Sequence, residues 1–486
     1  MSERRPAIEA RSIDYVPAGE RHGKVSAQGP FWFLGNFHFF TVSIGFIGPS
    51  LGLGLAATAL AGTLGILFGT IFMAFHASQG AELGLPQMIQ SRAQFGYRGV
   101  LVPLVGALFT FLGFNVINSI IVAEGLQHLR GWNPVAISAL LAIIGAGLAI
   151  YGHDRLHGAF RLLFWCNLPL VSILTIAILA GRVAPAAVPA PASFTWAAFL
   201  TQFAAAASYN ITYAPYVSDY SRYLPRSTSR RAIIANVYLG ASASAIWLIV
   251  LGAWLATRIA ASDSVGALAT AGDAIVPGFG TALALVSVGA LVATMGINAY
   301  SGMLTIMTGI DSVRPVVPTQ RLRILLISGL AIVWFVIAVS FGGDAVDALN
   351  ATLIAMLYLL APWTSVNLVD YFLVRKGGYA IADLARPDGI YGLWIMRGLA
   401  AYFAGLFASV PFFAIHGVWI APVAARLGGV DIAWLVGLVV AAIVYAWLAR
   451  GIDSAREAVA IAASEAELRA IDSDSQDSPA SDRGSP

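Results

Sequence analysis

The sequence predicts an all-α integral membrane protein with twelve transmembrane helices. The first observation is composition, since 58% of the 486 residues are hydrophobic and only 11% are charged, against about 45–50% and 25% in soluble domains. The second is the presence of long apolar segments such as 133–151 and 235–258, which match the length of about 20 residues that a membrane-spanning helix needs. The third is that no segment alternates apolar and polar residues as the strands of a membrane barrel do.

Twelve apolar segments are interpreted as spans. They cover 31–54, 56–75, 99–125, 133–151, 160–181, 197–221, 235–258, 280–308, 322–341, 346–374, 396–418 and 432–449. An even number of spans places both termini on one side. With that side in the cytoplasm, the outer loops contain only four of the 28 Lys and Arg residues, namely Arg130, Arg182, Arg258 and Arg426. The positive-inside rule therefore predicts a multi-pass protein of the plasma membrane with cytoplasmic N- and C-termini.

The segments outside the spans divide the chain into parts. Residues 1–29 mix acidic and basic residues without an apolar stretch, which is typical of a cytoplasmic tail rather than a signal peptide. The Pro/Ala-rich segment 184–195 is interpreted as an extracellular linker between two repeats. The remaining parts are a first inverted repeat at 30–183 with spans 1–5, a second at 196–376 with spans 6–10, and spans 11 and 12 at 377–450. The Ser/Asp/Glu-rich segment 451–486 cannot bury a core and is expected to be a disordered cytoplasmic tail.

Spans 1 and 6 contain helix-breaking residues. Span 1 carries Gly45, Gly48 and Pro49, and span 6 carries Pro215. Interrupted spans at matching positions of two halves are typical of inverted-repeat transporters, in which unwound backbone at the breaks offers N–H and C=O groups to a ligand or ion. Gly and Pro also occur in uninterrupted membrane helices, but two interruptions five spans apart favour the transporter interpretation.

Span 3 carries polar side chains on one helical face. Asn115, Asn118 and Ser119 share that face, and Phe114 lies one turn before Asn118. An aromatic ring followed four residues later by an amide suits a planar heteroaromatic ligand, because the ring can stack while the amide forms hydrogen bonds. Amide and hydroxyl side chains also join neighbouring membrane helices, and span 3 alone favours neither interpretation.

Spans 6 and 8 supply further polar surfaces. Tyr209, Asn210 and Tyr213 lie close to the break in span 6. In span 8, Thr294 and Asn298 begin a polar stripe at helical spacing. We interpret these residues as a surface that binds a flat, polar solute.

The predicted spans contain few ionisable residues. His38, about two turns into span 1, is the only one well inside a predicted hydrocarbon core. Glu124 lies near the outer end of span 3, and Asp219 and Asp370 lie towards the cytoplasmic ends of their spans. Each is a candidate for proton transfer or gating, although Asp370 is more typical of a terminal charge that reaches the interface.

Motifs for enzymatic chemistry are absent from the sequence. It has no H-E-x-x-H zinc motif, no Cys/His cluster and no G-x-x-x-x-G-K-[ST] phosphate loop. We therefore expect no catalytic residue, no bound metal and no cofactor. A formal charge of +3 is too small to indicate a nucleic-acid partner, which leaves the lipid bilayer and a small-molecule solute.

Four segments resemble the signatures of a known family. They are GAELGLPQMIQSRAQFGYRG at 80–99, YAPYVSDYSRYLP at 213–225, NAYS at 298–301 and LLAPWTSVNLVDYFLVRKGGY at 359–379. Together they are similar to the nucleobase cation symporter family of purine-cytosine, allantoin and hydantoin permeases, and closest to its purine-cytosine permease branch. The resemblance covers most of residues 24–380. It implies a leucine-transporter-like fold of five plus five inverted-repeat helices with two further helices, and cation-coupled import of a nucleobase by alternating access.

The resemblance also implies where the ligand lies. In relatives, the substrate ring lies between an aromatic residue of span 3 and one of span 6, with amides of spans 3 and 8 at its edges. Matched by motif, Phe114 takes the first aromatic place, and Asn118 and Asn298 take the amide places. The span-6 aromatic residue is Tyr209 or Tyr213, so the chain departs from the family's pair of tryptophans.

The coupled cation is expected to be a proton rather than sodium. Sodium-coupled relatives carry two adjacent hydroxyl side chains on span 8, and the matching positions here are Val292 and Ala293. A hard cation takes about six oxygen ligands, and the hydroxyl of Thr294 points about 100° away around the helix. His38 is therefore the first candidate proton carrier, with the carboxyl groups of Asp219 and Glu124 behind it.

Several alternatives remain open from the sequence. The solute could be a related heterocycle, such as allantoin, a hydantoin or a pyrimidine vitamin precursor, and the coupled ion could be sodium. A membrane-embedded enzyme or a receptor is disfavoured, because the chain has neither catalytic motifs nor a recognisable output domain.

Overall fold

The computed structural model describes residues 12–151, 153–185, 194–261 and 263–477. The helices are α1 Gln28–Asn36, α2 Phe39–Ile44, α3 Ile47–Ser50, α4 Leu55–Leu83, α5 Gln87–Gln90, α6 Arg92–Phe95, α7 Leu101–Arg130, α8 Pro134–Tyr151, α9 His153–Leu179, α10 Trp196–Ile211, α11 Val217–Ser221, α12 Arg230–Arg258, α13 Ser264–Asp273, α14 Phe279–Val313, α15 Gln320–Ser340, α16 Ala345–Leu368, α17 Met396–Ser409, α18 Pro422–Arg426, α19 Ala433–Leu448 and α20 Ser454–Asp477. A π-helical turn, Val369–Val374, extends α16, and short 3-10 helices cover Ala18–Glu20, Val25–Ala27, Ile381–Ala385, Val410–Phe412 and Ala449–Gly451. Two strands, β1 Ala414–Ile415 and β2 Trp419–Ile420, form an antiparallel hairpin.

Nine helices in the described ranges are long and apolar enough to cross a membrane, and a bent pair adds a tenth if it is counted as one span. The nine are α4, α7, α8, most of α9, α12, α14, α15, α16 with its π-helical turn, and α19. The segments predicted as spans 6 and 11 are shorter, because α10 has 16 residues and α17 has 14. The all-α membrane architecture is therefore confirmed, whereas the count of twelve spans stays a prediction.

The bent pair corresponds to the first predicted span. The helical segments Val25–Asn36 and Phe39–Ser50 meet at 59°, and His38 between them adopts an extended backbone with φ −150° and ψ 168°. Side chains donate to the three carbonyl groups released at the bend, in the pairs Tyr213 to Gly35 at 2.8 Å, Thr41 to Asn36 at 2.6 Å and Asn167 to Phe37 at 2.7 Å. Each of these carbonyl groups is thus satisfied without water, as a bend inside a membrane protein requires.

The glycine-rich part of span 1 is not the main break, and that prediction is wrong. Gly45 keeps right-handed helical dihedral angles of φ −66° and ψ −12°, and Gly48 and Pro49 lie inside α3. The two glycines allow close packing instead, because a Cβ atom on Gly45 would collide with the backbone of α12 and one on Gly48 with the side chain of Thr58. Small residues that admit a neighbouring helix are common in membrane proteins, so glycine content here marks contact rather than unwinding.

A second interruption separates α10 from α11. Helix α10 ends at Ile211 and α11 begins at Val217, with Pro215 in the turn between them. Proline is compatible with such a turn because it has no N–H to contribute to a helix. Helix α10 packs along α4, α1 packs along α12, and α4 and α12 pack along each other, so the two interrupted segments are joined through one pair of long helices. Helices α7 and α14, which carry the predicted amides, also pack along each other.

The segment predicted as a disordered tail, 451–486, contains the long helix α20, so the prediction of disorder is wrong for Ser454–Asp477. Ion pairs fix this helix to basic loops, with Glu457 bound to Arg375 and Glu467 bound to Arg386, both at 2.7 Å. The partners lie about 80 residues away in sequence, which is why local composition could not reveal them. Residues 478–486 lie outside the described part of the chain.

The N-terminal segment contacts the same helix. The backbone N–H of Ala18 donates to Asp472 of α20 at 2.8 Å, and the hydroxyl of Tyr15 lies 3.3 Å from the same carboxylate. We call this side of the molecule, defined by residues 12–27 and α20, the terminal side. Of the predicted tail 1–29 and linker 184–195, residues 1–11 and 186–193 lie outside the described residues.

Candidate functional site

Four aromatic rings meet beside the bend in the first span. The ring centroid of Phe114 lies 5.7 Å from that of Phe40, 6.1 Å from Tyr209 and 6.3 Å from Tyr213. The planes of Phe114 and Tyr213 are 27° apart, whereas those of Phe114 and Tyr209 are 74° apart. Phe114 and Tyr213 therefore present two nearly parallel faces, and Phe114 and Tyr209 do not.

Hydrogen bonds hold both tyrosines against the bend. The hydroxyl of Tyr213 donates to the carbonyl oxygen of Gly35 at 2.8 Å, and the hydroxyls of Tyr209 and Thr41 are 2.8 Å apart. Both tyrosine rings are buried. Because Gly35 and Thr41 lie on either side of the bend, the geometry of the bend sets the position of the two rings.

The amides of α7 and α14 form a short hydrogen-bonded chain. Asn298 donates Nδ2 to Oδ1 of Asn115 at 3.0 Å, and Asn115 donates Nδ2 to the carbonyl oxygen of Met295 at 3.2 Å. Asn118 lies about one helical turn beyond Asn115 on α7. All three asparagine side chains are buried.

Two buried amide oxygens in this region, Oδ1 of Asn118 and Oδ1 of Asn298, accept no hydrogen bond from any described residue. Nδ1 of His38 is a third acceptor without a partner there, because the ring proton is needed on Nε2, which lies 3.0 Å from the carbonyl oxygen of Gly35. An unpaired buried polar atom costs about 1–3 kcal/mol and is rare in native proteins. Asn118 lies one helical turn from Phe114 on α7, and unpaired buried acceptors together with aromatic rings make this region the candidate site for a flat ligand that carries N–H donors. We call Phe114, Tyr213, Asn118, Asn298 and His38 the central cluster.

Asn210 does not belong to the central cluster, and its prediction as a ligand-binding residue is wrong. Its Nδ2 donates to Thr70 at 2.6 Å, and its Oδ1 accepts from Asn36 at 2.9 Å. Asn210 follows Tyr209 by one residue and is therefore rotated about 100° around the axis of α10. The amide joins the first, second and sixth predicted spans to one another.

The groups around the predicted ion position are mostly apolar. Val292 and Ala293 are buried on α14, and the hydroxyl of Thr294 lies 3.4 Å from the carbonyl oxygen of Ala290 in its own helix. No group of three or more His, Cys, Asp or Glu side chains within the described ranges is arranged to hold a metal ion. His38 is the ionisable residue at the bend, where it is 1% exposed.

The two carboxyl candidates lie away from the parallel rings. Glu124 is ten residues beyond Phe114 on α7, or about 15 Å along the helix, and is partly exposed. Asp219 of α11 accepts from the backbone N–H of Gln87 at 3.0 Å and is nearly fully buried. Neither carboxyl group is part of the central cluster.

A second buried polar cluster, of which the sequence analysis named only Asp370, lies nearer the terminal side. We call it the terminal-side cluster, and its members are Gln79, Gln87, Gln94, Ser218, Asn367 and Asp370. Hydrogen bonds connect Ser218 to Gln87 at 2.6 Å, Gln87 to Gln79 at 3.1 Å, Gln79 to Asn367 at 2.8 Å and Gln94 to Asp370 at 2.7 Å. All members except Gln79 fall in the family-like segments 80–99, 213–225 and 359–379, and the recurrence of amides there was the available signal.

Asp370 is fully buried rather than a terminal charge at the interface, so that interpretation is wrong. Four donors surround its carboxylate, namely Arg375 at 2.7 Å, Gln94 at 2.7 Å, Tyr379 at 2.7 Å and Tyr445 at 2.8 Å. Arg375 in turn binds Glu457 of α20. A buried carboxylate is tolerated when such donors replace its water, and this set connects the cluster to the C-terminal helix.

His76 is a second deeply buried histidine, so His38 is not alone as predicted. The predicted second span ended at residue 75, but α4 continues to Leu83. The His76 ring stacks on Trp363 with centroids 4.9 Å apart, and Nδ1 lies 2.9 Å from the carbonyl oxygen of Phe72. The apolar signal stopped too early because the last two turns of α4 contain four polar side chains, of which His76, Ser78 and Gln79 are buried in the protein.

Comparison with known sequences places the chain among permeases. The profile of a family described as "Permease for cytosine/purines, uracil, thiamine, allantoin" matches residues 15–437. A Bacillus subtilis (strain 168) protein assigned as a purine-cytosine permease is 35% identical over 452 residues, which cover 90% of this chain and 95% of its own length. The purine-cytosine permease of Emericella nidulans is 24% identical over 458 residues, which cover 90% of this chain and 87% of its own length.

Solved structures share the fold at low sequence identity. A transporter of the nucleobase-cation-symport-1 family, in a closed conformation with bromovinylhydantoin bound, matches with a TM-score of 0.70 at 18% identity, covering 93% of this chain and 99% of its own. A Na⁺-coupled sialic acid symporter matches with a TM-score of 0.60 at 13% identity, covering 91% and 93%. These likenesses confirm the fold class that the sequence predicts.

Proposed function

The chain belongs to the family of permeases for cytosine, purines, uracil, thiamine and allantoin, and from that premise we propose that it imports a nucleobase of the cytosine or purine type together with a cation. Its relatives are named permeases, so the chain is a multi-pass membrane transporter and not an enzyme. The proposed transport is secondary active transport by alternating access.

The main support for this proposal is the pair of nearly parallel rings of Phe114 and Tyr213. Their centroids are 6.3 Å apart and their planes are 27° apart, so two neighbouring aromatic faces with nearly the same orientation lie beside the bend. In this proposal a flat base stacks on these two faces, and stacking on an aromatic side chain contributes about 1–3 kcal/mol per base. We therefore assign Tyr213, rather than Tyr209, as the stacking residue of the sixth span.

The unpaired amide oxygens support a ligand with N–H donors. Oδ1 of Asn118 and Oδ1 of Asn298 are buried acceptors without partners among the described residues. Nucleobases carry N–H groups in the plane of the ring, where they can reach side chains around its edge while the faces stack. In this proposal the two amides bind the edges of the base.

A related heterocycle is the alternative substrate. One solved transporter of the same fold holds bromovinylhydantoin, and hydantoins, allantoin and pyrimidine vitamin precursors also combine a flat ring with N–H donors. The rings of Phe114 and Tyr213 are smaller than the indoles of the family's tryptophan pair, which suits a small ring as well as a base.

We propose H⁺ as the coupled cation. The side chains of Val292 and Ala293 provide no oxygen ligand, and the carbonyl groups of Gly35 and Asn36 already accept side-chain hydrogen bonds. A hard cation requires about six oxygen ligands, whereas a proton requires one basic group. His38, which lies at the bend with one ring nitrogen unpaired among the described residues, is the proposed carrier.

The proposed location is the plasma membrane with both termini in the cytoplasm. The distribution of Lys and Arg supports this orientation, because in it the outer loops contain only four of the 28 basic residues. The terminal side carries Arg375 and Arg386, both bound to α20, and therefore corresponds to the cytoplasmic side in this proposal.

Counterflow of radiolabelled cytosine into proteoliposomes tests the transport function. The full chain is reconstituted, the vesicles are preloaded with unlabelled cytosine, and adenine, hypoxanthine, uracil and allantoin are added as competitors. We expect preloading to stimulate uptake and at least one base to inhibit it. Absence of counterflow with every base would contradict the proposal, and counterflow inhibited by allantoin alone would select the alternative substrate class.

Uptake in sodium-free choline buffer, with and without a protonophore, identifies the coupled cation. Proton coupling predicts that uptake persists in choline and that the protonophore abolishes accumulation. The variant His38→Gln should retain counterflow but lose accumulation, because exchange needs no gradient. A strict sodium requirement that survives the protonophore would refute proton coupling and would point to a cation site on α14 that includes Thr294.

A further inference from the structure

We propose that Asn115 fixes the orientation of the Asn298 amide and thereby sets which hydrogen-bonding edge of a base the site accepts. Asn115 is a positioning residue in this proposal, because it acts on the solute through Asn298. The inference rests on the proposed function, since it concerns the selectivity of the same site.

The orientation follows from one backbone group. The carbonyl oxygen of Met295 can only accept a hydrogen bond, so Asn115 must present its NH₂ group there, at 3.2 Å. Oδ1 of Asn115 is then turned towards Asn298 and requires a donor. Asn298 therefore presents its own NH₂ group, at 3.0 Å. Met295 and Asn298 lie one turn apart on α14, so a single helical turn holds both ends of the Asn115 amide.

The reversed orientation of Asn298 is disfavoured. Turning its amide by 180° would place two carbonyl oxygens, those of Asn115 and Asn298, against each other in a buried place. A lost buried hydrogen bond of this kind corresponds to about 5–150-fold in an equilibrium constant. Oδ1 of Asn298 is consequently the atom left without a partner among the described residues, and it can serve a ligand only as an acceptor.

The orientation of a fixed amide matters because some nucleobases differ by the order of donor and acceptor along one edge. Cytosine and uracil are one such pair, and adenine and hypoxanthine are another. Cytosine presents an acceptor at N3 and an amino donor at C4, whereas uracil presents a donor at N3 and an acceptor at C4. Adenine and hypoxanthine differ in the same way at N1 and C6. An amide that is free to turn by 180° fits either member of a pair, because its oxygen and nitrogen exchange places. A fixed amide fits one member and leaves a buried group unpaired with the other.

Neighbouring hydroxyl groups have partners of their own, which provides a matched control. Ser119 donates to the backbone carbonyl oxygen of Asn115 at 2.8 Å, and Thr294 donates to that of Ala290 at 3.4 Å. Ser119 is buried on the same helix, one turn from Asn115. The variant Ser119→Ala therefore removes a buried polar group beside the site without touching the chain from Met295 to Asn298.

The test measures inhibition constants for cytosine, uracil, adenine and hypoxanthine in the counterflow assay. We expect the wild-type protein to distinguish the members of at least one pair by about tenfold or more, and Asn115→Leu to reduce that ratio to about threefold or less. The preferred base should weaken by less than about tenfold, because Asn298 itself is still present. Ser119→Ala should keep the wild-type ratio, and Asn115→Ala serves as a second variant should the leucine fail to fit.

The result that overturns the proposal is an unchanged ratio in a transporting Asn115 variant, or a wild-type protein that distinguishes neither pair. Both differ from the failure of the proposed function, in which the wild-type protein shows no counterflow with any base. A loss of transport in both Asn115 variants with normal thermal stability would also overturn it, because a positioning residue that acts only through Asn298 should alter the choice of base before it abolishes binding.

Discussion

The central cluster and the terminal-side cluster are both buried sets of polar side chains, but they differ in how completely they are paired. In the central cluster, Asn118, Asn298 and His38 each leave an acceptor without a partner among the described residues. In the terminal-side cluster, every side-chain oxygen and nitrogen has a partner, and the carboxylate of Asp370 has four donors.

We expect this difference to separate solute binding from structural support. A buried hydrogen-bond network that is fully satisfied rigidifies the elements that it joins, whereas unpaired groups cost free energy that a ligand can recover. Transport should therefore depend on the central cluster with little effect on stability, and stability should depend on the terminal-side cluster. The following predictions test that division.

The largest effect on stability is expected for Asp370→Ala. The substitution leaves Arg375 buried with Glu457 as its remaining carboxylate partner, and removing one member of a buried ion pair costs about 3–5 kcal/mol. We expect the free energy of unfolding to fall by about 3 kcal/mol, at the lower end because Glu457 remains. Thermal unfolding of the detergent-solubilised protein measures it.

The control for this prediction is Glu467→Gln, which removes the exposed pair with Arg386 on the same side of the molecule. Exposed ion pairs contribute about 0–1 kcal/mol, so its unfolding temperature should barely change. An equal fall in the unfolding temperature of the two variants would contradict the prediction that the terminal-side cluster contributes more to stability than an exposed ion pair does.

Asn118→Ala should reduce transport without reducing stability. Losing one hydrogen bond to the solute costs about 1–3 kcal/mol, or about 5–150-fold in uptake. The unfolding temperature should stay constant, because the removed oxygen has no partner in the described protein to lose. Uptake kinetics and thermal unfolding of the same preparation test both halves of the prediction.

Asn298→Ala should reduce both transport and stability, because Asn298 also forms a hydrogen bond within the protein. Uptake should fall as for Asn118→Ala, and the free energy of unfolding should fall by about 1 kcal/mol, since Oδ1 of Asn115 loses its donor. Wild-type transport kinetics in both alanine variants would contradict the assignment of these amides to the edges of the solute.

The smallest effect is expected for Phe114→Trp. An indole offers a larger stacking face than a phenyl ring, so affinity for a flat base should be kept or rise by a few-fold, equivalent to less than about 1 kcal/mol. Phe114→Leu is the matched variant, which keeps an apolar side chain but has no flat face and should weaken binding. A tryptophan variant that prefers non-aromatic solutes would refute the stacking role.

Helical spacing predicts which side chains of one helix share a face, and this is the part of the central cluster that the sequence can address. Phe114 and Asn118 are four residues apart within α7 and both are buried, so they lie on the same face of that helix. The same rule separates Asn210 from Tyr209, because adjacent residues of α10 are rotated by about 100° around its axis. Residue type suggested a ligand there, and helical geometry decided against it.

The parts that sequence reasoning missed depend on contacts between distant segments. Glycine and proline predicted the bend of span 1 around Gly45, but His38 adopts the extended backbone and side chains from other helices satisfy the released carbonyls. Asp370 and helix α20 were misjudged for the same reason, because Gln94 and Tyr445, two of the four donors to Asp370, and Arg375, a partner of α20, lie far away along the chain. Local composition contains no record of such partners.

The contact between Ala18 and Asp472 has a consequence for the order of biosynthesis. The two residues are 454 positions apart, and a ribosome that adds about 5–20 residues per second needs on the order of half a minute to a minute and a half to pass from one to the other. Throughout that interval the N-terminal segment has been translated but its acceptor has not. Helices that pair locally can assemble during elongation, whereas this contact can close only after translation has passed Asp472.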